Sequence, residues 1–327
     1  MQEVLNHYFE QLQPGEPWIR ENLTLIPIYR ETEYGPLYYV LLDEAVKQKT
    51  LEAREIDGHG RVNEIQVINR GEKPVLILDG EELVGAKQNR LVNTTLLIPA
   101  LIKLLIPVSC VERGRWQHTS TTFNSSQVFG YSSLRRQKAA QVADSLREEA
   151  IFASDQHAVW KEIERKQAAM GSRSDTSAMH EIYVNYEEEM QKYMEGLKPQ
   201  EGQIGLMVFI NGLFNCLDIL GHPASLEQVW NKLLRSYAME AVEARKGKPG
   251  KTEITPTEVL NNIARSKAEF YKSPGDGTDF RIQNNQYIGA GLIDREQVLH
   301  FSAFPSIDEA EHEGNMARPS RRRRSRG

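Results

Sequence analysis

Apolar residues change their period twice along this chain, and the order of those changes constrains the fold more than any single motif. In the first third they alternate or run in short blocks, as in LTLIPIYR (23–30), LYYVLL (37–42), NEIQVIN (63–69) and PVLIL (74–78). Alternation puts successive side chains on opposite faces of a strand, and these blocks are rich in β-branched and aromatic residues. Asp79-Gly80 then lies between two apolar runs, which predicts a tight hairpin. RLVNTTLLI (90–98) and LLIPVSCV (104–111) continue the meander, with Pro99 and Pro107 expected at strand starts, edges or bulges.

The middle of the chain switches to helical spacing. Val142, Leu146, Ala150, Ala153, Trp160 and Ile163 predict one long helix from Leu134. A second is expected after a Ser174/Asp175 cap, with Met179, Ile182, Tyr186, Met190 and Tyr193 on one stripe and Gly196 and Pro199 at its end. QIGLMVFING and LFNCLDIL return to strand composition. Further helices are expected at about 225–244, capped by Ser225 and Gln228, and at about 256–271. The latter has Thr255, Pro256 and Glu258 as cap, first-turn proline and capping-box acid. TDFRIQ, YIGAGLID and QVLHFSAF close the chain as strands.

Strands at both ends with helices between them predict an α+β fold rather than alternating βαβ units. The expected architecture is an antiparallel sheet or sandwich-like core built from N- and C-terminal strands, with a helical insertion at about 133–198. One domain should span residues 1–305. KGKPGKTE (246–253) reads as an exposed loop and residues 306–327 as a disordered acidic-then-basic tail.

Charge and cysteine usage narrow the class. The last ten residues carry six arginines and no acid, so the preceding 317 hold a net charge of −11 within a chain total of −5. The Arg321–Arg324 run could touch nucleic acid nonspecifically, but it has no interleaved aromatics and the acidic body opposes duplex binding. No apolar run reaches the ~18–20 residues of a membrane span, and no secretory signal is visible. Two cysteines, Cys110 and Cys216, are too few for a disulfide framework. A cytoplasmic protein is the expectation.

Several motifs fail on inspection. GEELVGAK (80–87) has Ala86 where a phosphate-binding loop needs lysine, and Glu81 and Glu82 would repel phosphate. GAGLID (289–294) lacks the third glycine of a dinucleotide fingerprint. His180-Glu181 has Val184 where a zinc motif needs its second histidine. Asp79, Glu81 and Glu82 could offer oxygen ligands to a hard cation, but three acids at a turn read more simply as a solvated turn, and no metal or cofactor is expected. Strand alternation puts Cys110 on the face shared by Leu104, Ile106 and Val108, which makes it a core residue rather than a nucleophile; Cys216 reads the same way.

Two stretches remain, DGEELVGAKQNRLVNTTLLIP (79–99) and SCVERGRWQH (109–118). If their strands pair, Lys87, Gln88, Asn89, Arg90, Asn93, Arg113, Arg115 and Trp116 converge at strand ends. Arginines bind oxyanions bidentately, amides read ring edges and an indole stacks, so the set suits a small phosphorylated, planar ligand. Here Arg90, Arg113 and Arg115 would contact oxyanions, Gln88 and Asn89 would orient the ligand and Trp116 would stack. The plain alternative is a set of salt bridges tying irregular strand ends together. Two other functions stay open: hydrolysis with Glu81 or Glu82 as general base, and a scaffold that associates with itself or with partners through the helices.

These two stretches, with the lead-in VINRGEKPVLIL (67–78), resemble the signature of the ARPP domain family, the ADP-ribosylglycohydrolase and rhodanese-phosphatase-associated protein domain. The resemblance extends over roughly residues 20–305. It implies a protein linked by association to ADP-ribose, phosphoesterase or sulfur-transfer proteins, and it brings no catalytic residues with it.

Overall fold

The computed structural model describes residues 1–56, 61–247 and 254–306. The fold is α+β. Its largest element is a nine-stranded antiparallel sheet that unites the two ends of the chain. Leu12–Pro14 and Trp18–Arg20 both pair with Leu23–Arg30, which leads on to Gln203–Ile210, Leu213–Leu220, Gln297–Pro305, Tyr287–Asp294, Thr278–Gln283 and Ala268–Lys272. Both faces of this sheet are covered. On one, the helices Gln2–Glu10 and Pro256–Ala264 pack Leu5, Phe9, Val259 and Ile263 against Ile28, Leu217 and Phe301. On the other, the 22-residue helix Pro223–Ala244 and the helical insertion meet Leu206, Val208 and Leu220. Burial on both sides explains why Gln203–Ile210 is a continuous apolar run rather than an alternating one.

The remaining early strands close into a barrel ordered Lys103–Cys110, Glu64–Asn69, Leu51–Arg54, Phe123–Phe129, Glu81–Gly85 and Arg90–Val92. Its interior holds Ala53, Ile65, Val67, Leu83, Val92, Ile106 and Val108. A three-stranded sheet lies beside it, with Val75–Ile77 between Leu96–Ile98 and Val40–Leu41; the last pair is parallel.

Six local expectations are corrected. A turn does form at Asp79-Gly80, with Glu81 N–H bonded to Leu78 O at 3.2 Å and Gly80 at φ 87°. It is a corner and not a hairpin, because Val75–Ile77 pairs with Leu96–Ile98 while Glu81–Gly85 enters the barrel. LYYVLL is a strand only at Val40–Leu41, and the helix Leu42–Lys47 follows at once. Each predicted long helix is two helices: Ser132–Glu149 and Gln156–Met170, then Met179–Asn185 and Glu187–Met194. The first break comes at Ala150, which turns left-handed at φ 58°, and Asp155 then caps the next helix by accepting from His157 and Ala158 N–H. Tyr186, at φ −119° and ψ 19°, makes the second break.

The last two corrections concern caps and ends. His222 caps the long helix, so Ser225 lies inside it. The capping box of Thr255 and Glu258 forms, but its helix ends at Ala264 and residues 268–272 pair with Thr278–Gln283 as an edge strand. The Arg321–Arg324 tail lies outside the described residues, as does most of the 246–253 loop.

Candidate functional site

Strand pairing brings the two polar stretches together. Arg90–Val92 runs antiparallel to Lys103–Cys110, with Arg90 opposite Cys110, so the residues before one strand meet those after the other. Gln88 Nε2 donates to Glu112 O at 2.9 Å, and Asn89 N–H donates to the Glu112 carboxylate at 3.2 Å. Arg115 closes the cluster, donating to Glu112 Oε2 at 2.6 Å, Asn89 Oδ1 at 3.0 Å and Ala86 O at 2.8 Å. Burial raises the Glu112 carboxyl pKa, but hydrogen bonds from Arg115, Thr176 and the Asn89 N–H outweigh it and hold the group below its usual range.

Arg90 sits deepest. Its side chain is fully buried and donates to Gln88 Oε1 at 3.1 Å, with Glu55 and Arg61 O at 3.4 Å. Cys110 donates its thiol to Gln88 Oε1 at 3.1 Å, and burial pushes its pKa up, so it is a core thiol rather than a nucleophile. Cys216 is likewise free and buried. Trp116 stands at the surface, 46% exposed, with Lys87 Nζ 5.3 Å from its ring.

An open hollow of about 510 Å³ adjoins this cluster, lined by Arg54, Glu55, His118, Thr119, Ser120 and Thr121. The connection is direct, since Arg115 donates to Thr119 Oγ1 at 3.1 Å and Glu55 is the partner of Arg90. A volume of this size falls in the range of small-molecule sites.

Four of the sequence candidates lie elsewhere. Asn93 faces the helical insertion, donating to Phe152 O and accepting from Ser109. Arg113 pairs with Glu164 at 2.6 Å and lies over the Trp160 ring. Glu81 is buried against Lys232 at 2.7 Å on the long helix. Glu82, fully buried, accepts a hydrogen bond from His180 Nδ1 at 2.9 Å. Among the described residues no group of three or more His, Cys, Asp or Glu is placed to hold a metal. Nor is any helix long and apolar enough to cross a membrane.

Sequence reasoning missed a buried polar network between the barrel and the large sheet. Arg135, on the helix Ser132–Glu149, pairs with Asp218 and also donates to Ser302 at 2.7 Å. Arg281 pairs with Asp279 at 2.7 Å, and both bond Thr94. A hydrogen-bond chain runs from Asp79 N–H to Thr95 Oγ1 (3.1 Å), on to His300 Nδ1 (2.7 Å), and from His300 Nε2 through Ser302 to Asp218 (3.1 and 2.6 Å). That order requires a neutral imidazole protonated at Nε2. The signal was present in the sequence: Asp218, Asp279, Arg281 and His300 each interrupt an apolar strand, and Arg135 and Lys138 stand three apart on the face shared by Leu134 and Val142.

No curated protein and no solved structure matches the chain significantly. A family model does, over residues 11–304: on that match the chain belongs to the family described as the ARG and Rhodanese-Phosphatase-superfamily-associated Protein domain, ARPP-1.

Proposed function

We propose that this protein recognises a small phosphorylated or nucleotide-derived ligand, of ADP-ribose type, at the mouth of its barrel. The observation that carries this reading is the position of Arg115, which ties Asn89 and Glu112 to Thr119 on the wall of the 510 Å³ hollow. Arg54, His118 and the hydroxyls of Thr119, Ser120 and Thr121 supply polar groups of the kind that phosphate and ribose require. Trp116 offers an exposed face for a base. Arg90 contributes as the buried support of this wall through Glu55. The family name, which couples these domains with ARG and rhodanese-phosphatase proteins, favours a ligand of that chemistry. A hydrolytic alternative would use Glu81 or Glu82 as base; both are engaged with basic side chains and neither lines the hollow.

Calorimetry with ADP-ribose tests the reading. Arg115→Ala and Trp116→Ala should each weaken binding by roughly tenfold or more, the scale of a charge-assisted contact or a stacked base. Absence of binding heat, or affinity unchanged in both variants, rules the site out.

A further inference from the structure

A second hollow, of about 260 Å³, opens on another part of the molecule, between residues 30–39, the start of the long helix and the hairpin turn that follows Asp294. Its walls carry the rings of Tyr34, Tyr38, Tyr39 and His222. His222 is a bracket: Nδ1 accepts from Ala224 N–H at 3.0 Å, so Nε2 donates to Gly35 O at 2.8 Å and pins the 30–39 segment to the helix. The Tyr34 ring meets the His222 ring edge-on at 5.2 Å.

The positive features of this hollow are already engaged. Arg30 donates to Gln11 at 2.8 Å, and its guanidinium lies 4.6 Å over the Tyr8 ring. The helix start has no donor to spare: Pro223 lacks an N–H, Ala224 N–H is taken, and Ser225 and Leu226 N–H bond to His222 O. The negative features are not engaged. Glu33 and Glu296 line the hollow and form no ion pair among the described residues.

The turn beside it points the same way. Asp294 pairs with Gln297, which leaves Arg295 and Glu296 as a two-residue turn with φ of 49° and 61°. Such turns favour Asn-Gly, so two long charged side chains hold strained positions there. Arg295 spends its position by laying a guanidinium 4.3 Å over the Tyr38 ring. The aromatic wall thus already holds one cation.

We propose that this hollow binds a small organic ammonium ion. The faces of Tyr34 and Tyr38 would meet the alkylated nitrogen, Glu33 and Glu296 would balance its charge, and Arg295 is a built-in competitor for the same ring.

Ligand-observed NMR on the full chain, with choline as the probe and its uncharged tert-butyl isostere as control, tests this. Choline should bind saturably, and the isostere about fivefold or more weakly. Tyr38→Leu should weaken choline by a similar factor, Tyr34→Phe should keep it, and Arg295→Ala should tighten it, because removing a competing cation frees the ring. Thermal melts of each variant separate lost binding from lost fold. The proposal is overturned by absence of saturation at the highest choline concentration the fold tolerates, by equal binding of the isostere, or by weaker binding in Arg295→Ala.

Discussion

Lys138 Nζ faces Asp79 Oδ1 at 3.9 Å between the barrel corner and the large sheet, with both side chains buried. Among the described residues neither carboxylate oxygen of Asp79 has a hydrogen-bond partner, while Lys138 donates to Val92 O at 2.7 Å. Burial raises the pKa of Asp79 and lowers that of Lys138 to about 8, with each charge partly offsetting the other's shift. The pair adds a charged contact to the polar network that joins the barrel to the large sheet.

Lys138→Met strips that compensation from Asp79, and breaking a buried pair from one side costs about 3 kcal/mol or more. Replacing both partners by Lys138→Met with Asp79→Leu should cost less than the two single changes added together, because no uncompensated charge remains. Urea unfolding of the three variants measures this. Simple additivity would mean that the two groups do not interact.

His300 gives the fold a defined acid sensitivity. Burial lowers its pKa from 6.5 to about 4, against a smaller opposing pull from Asp218. The unfolded chain therefore takes up the proton first as pH falls. Stability should decline from about pH 6.5 and level off near pH 4, by about 3 kcal/mol from this group. His300→Gln should flatten that part of the curve, read as urea midpoints across the window. A variant slope matching the wild type assigns the acid loss elsewhere.

At His180 the shift has the opposite sign. The hydrogen bond to Glu82 raises its pKa, outweighing partial burial. Its contribution to stability is present below pH 6.5 and is lost as pH rises through the folded-state value. NMR titration should show His180 above 6.5 in the wild type and shifted downward in Glu82→Gln. No change in that variant would mean that the pair does not set the titration.

Gly85 holds the turn that carries Gln88 and Asn89. Its φ is 121°, and an added Cβ would stand 2.5 Å from Ser120 Oγ and 2.8 Å from Thr122 O. Gly85→Ala should cost about 2 kcal/mol or more, through strain and a clash with backbone. It should also weaken ligand binding at the barrel mouth, since Gly85 N–H anchors Asn89 at 3.2 Å. Chemical denaturation and calorimetry report the two effects separately.

At the 294–297 turn the direction reverses. Replacing Arg295-Glu296 with Asn-Gly should stabilise the protein by about 1 kcal/mol, by relieving two left-handed side-chain positions. A rise in Tm of a few degrees is the expected reading. An unchanged Tm would show that the turn carries no strain.

Local chemistry determined a good deal of this protein. Alternation and β-branched runs marked most of the strands, and Thr255 and Glu258 announced their helix start, because these signals act over a few residues and need no partner. The convergence of 79–99 with 109–118 was also readable, since a strand pair carries both flanks with it and sets Arg90 opposite Cys110. Tertiary structure decided the rest. Residues 268–272 gave up helix for an edge strand because Thr278–Gln283 offered them a ladder. Asp79-Gly80 became a corner because each flanking strand found a better partner in a different sheet. Arg113 and Asn93 left the cluster for the helical insertion, and Asp79, Arg135, Asp218, Arg281 and His300 met only when barrel and sheet closed on one another. A side chain's periodicity is written in its neighbours, whereas the charge it will face across a packed interface depends on residues far away in the sequence, as Arg135 and Asp218 are, 83 positions apart.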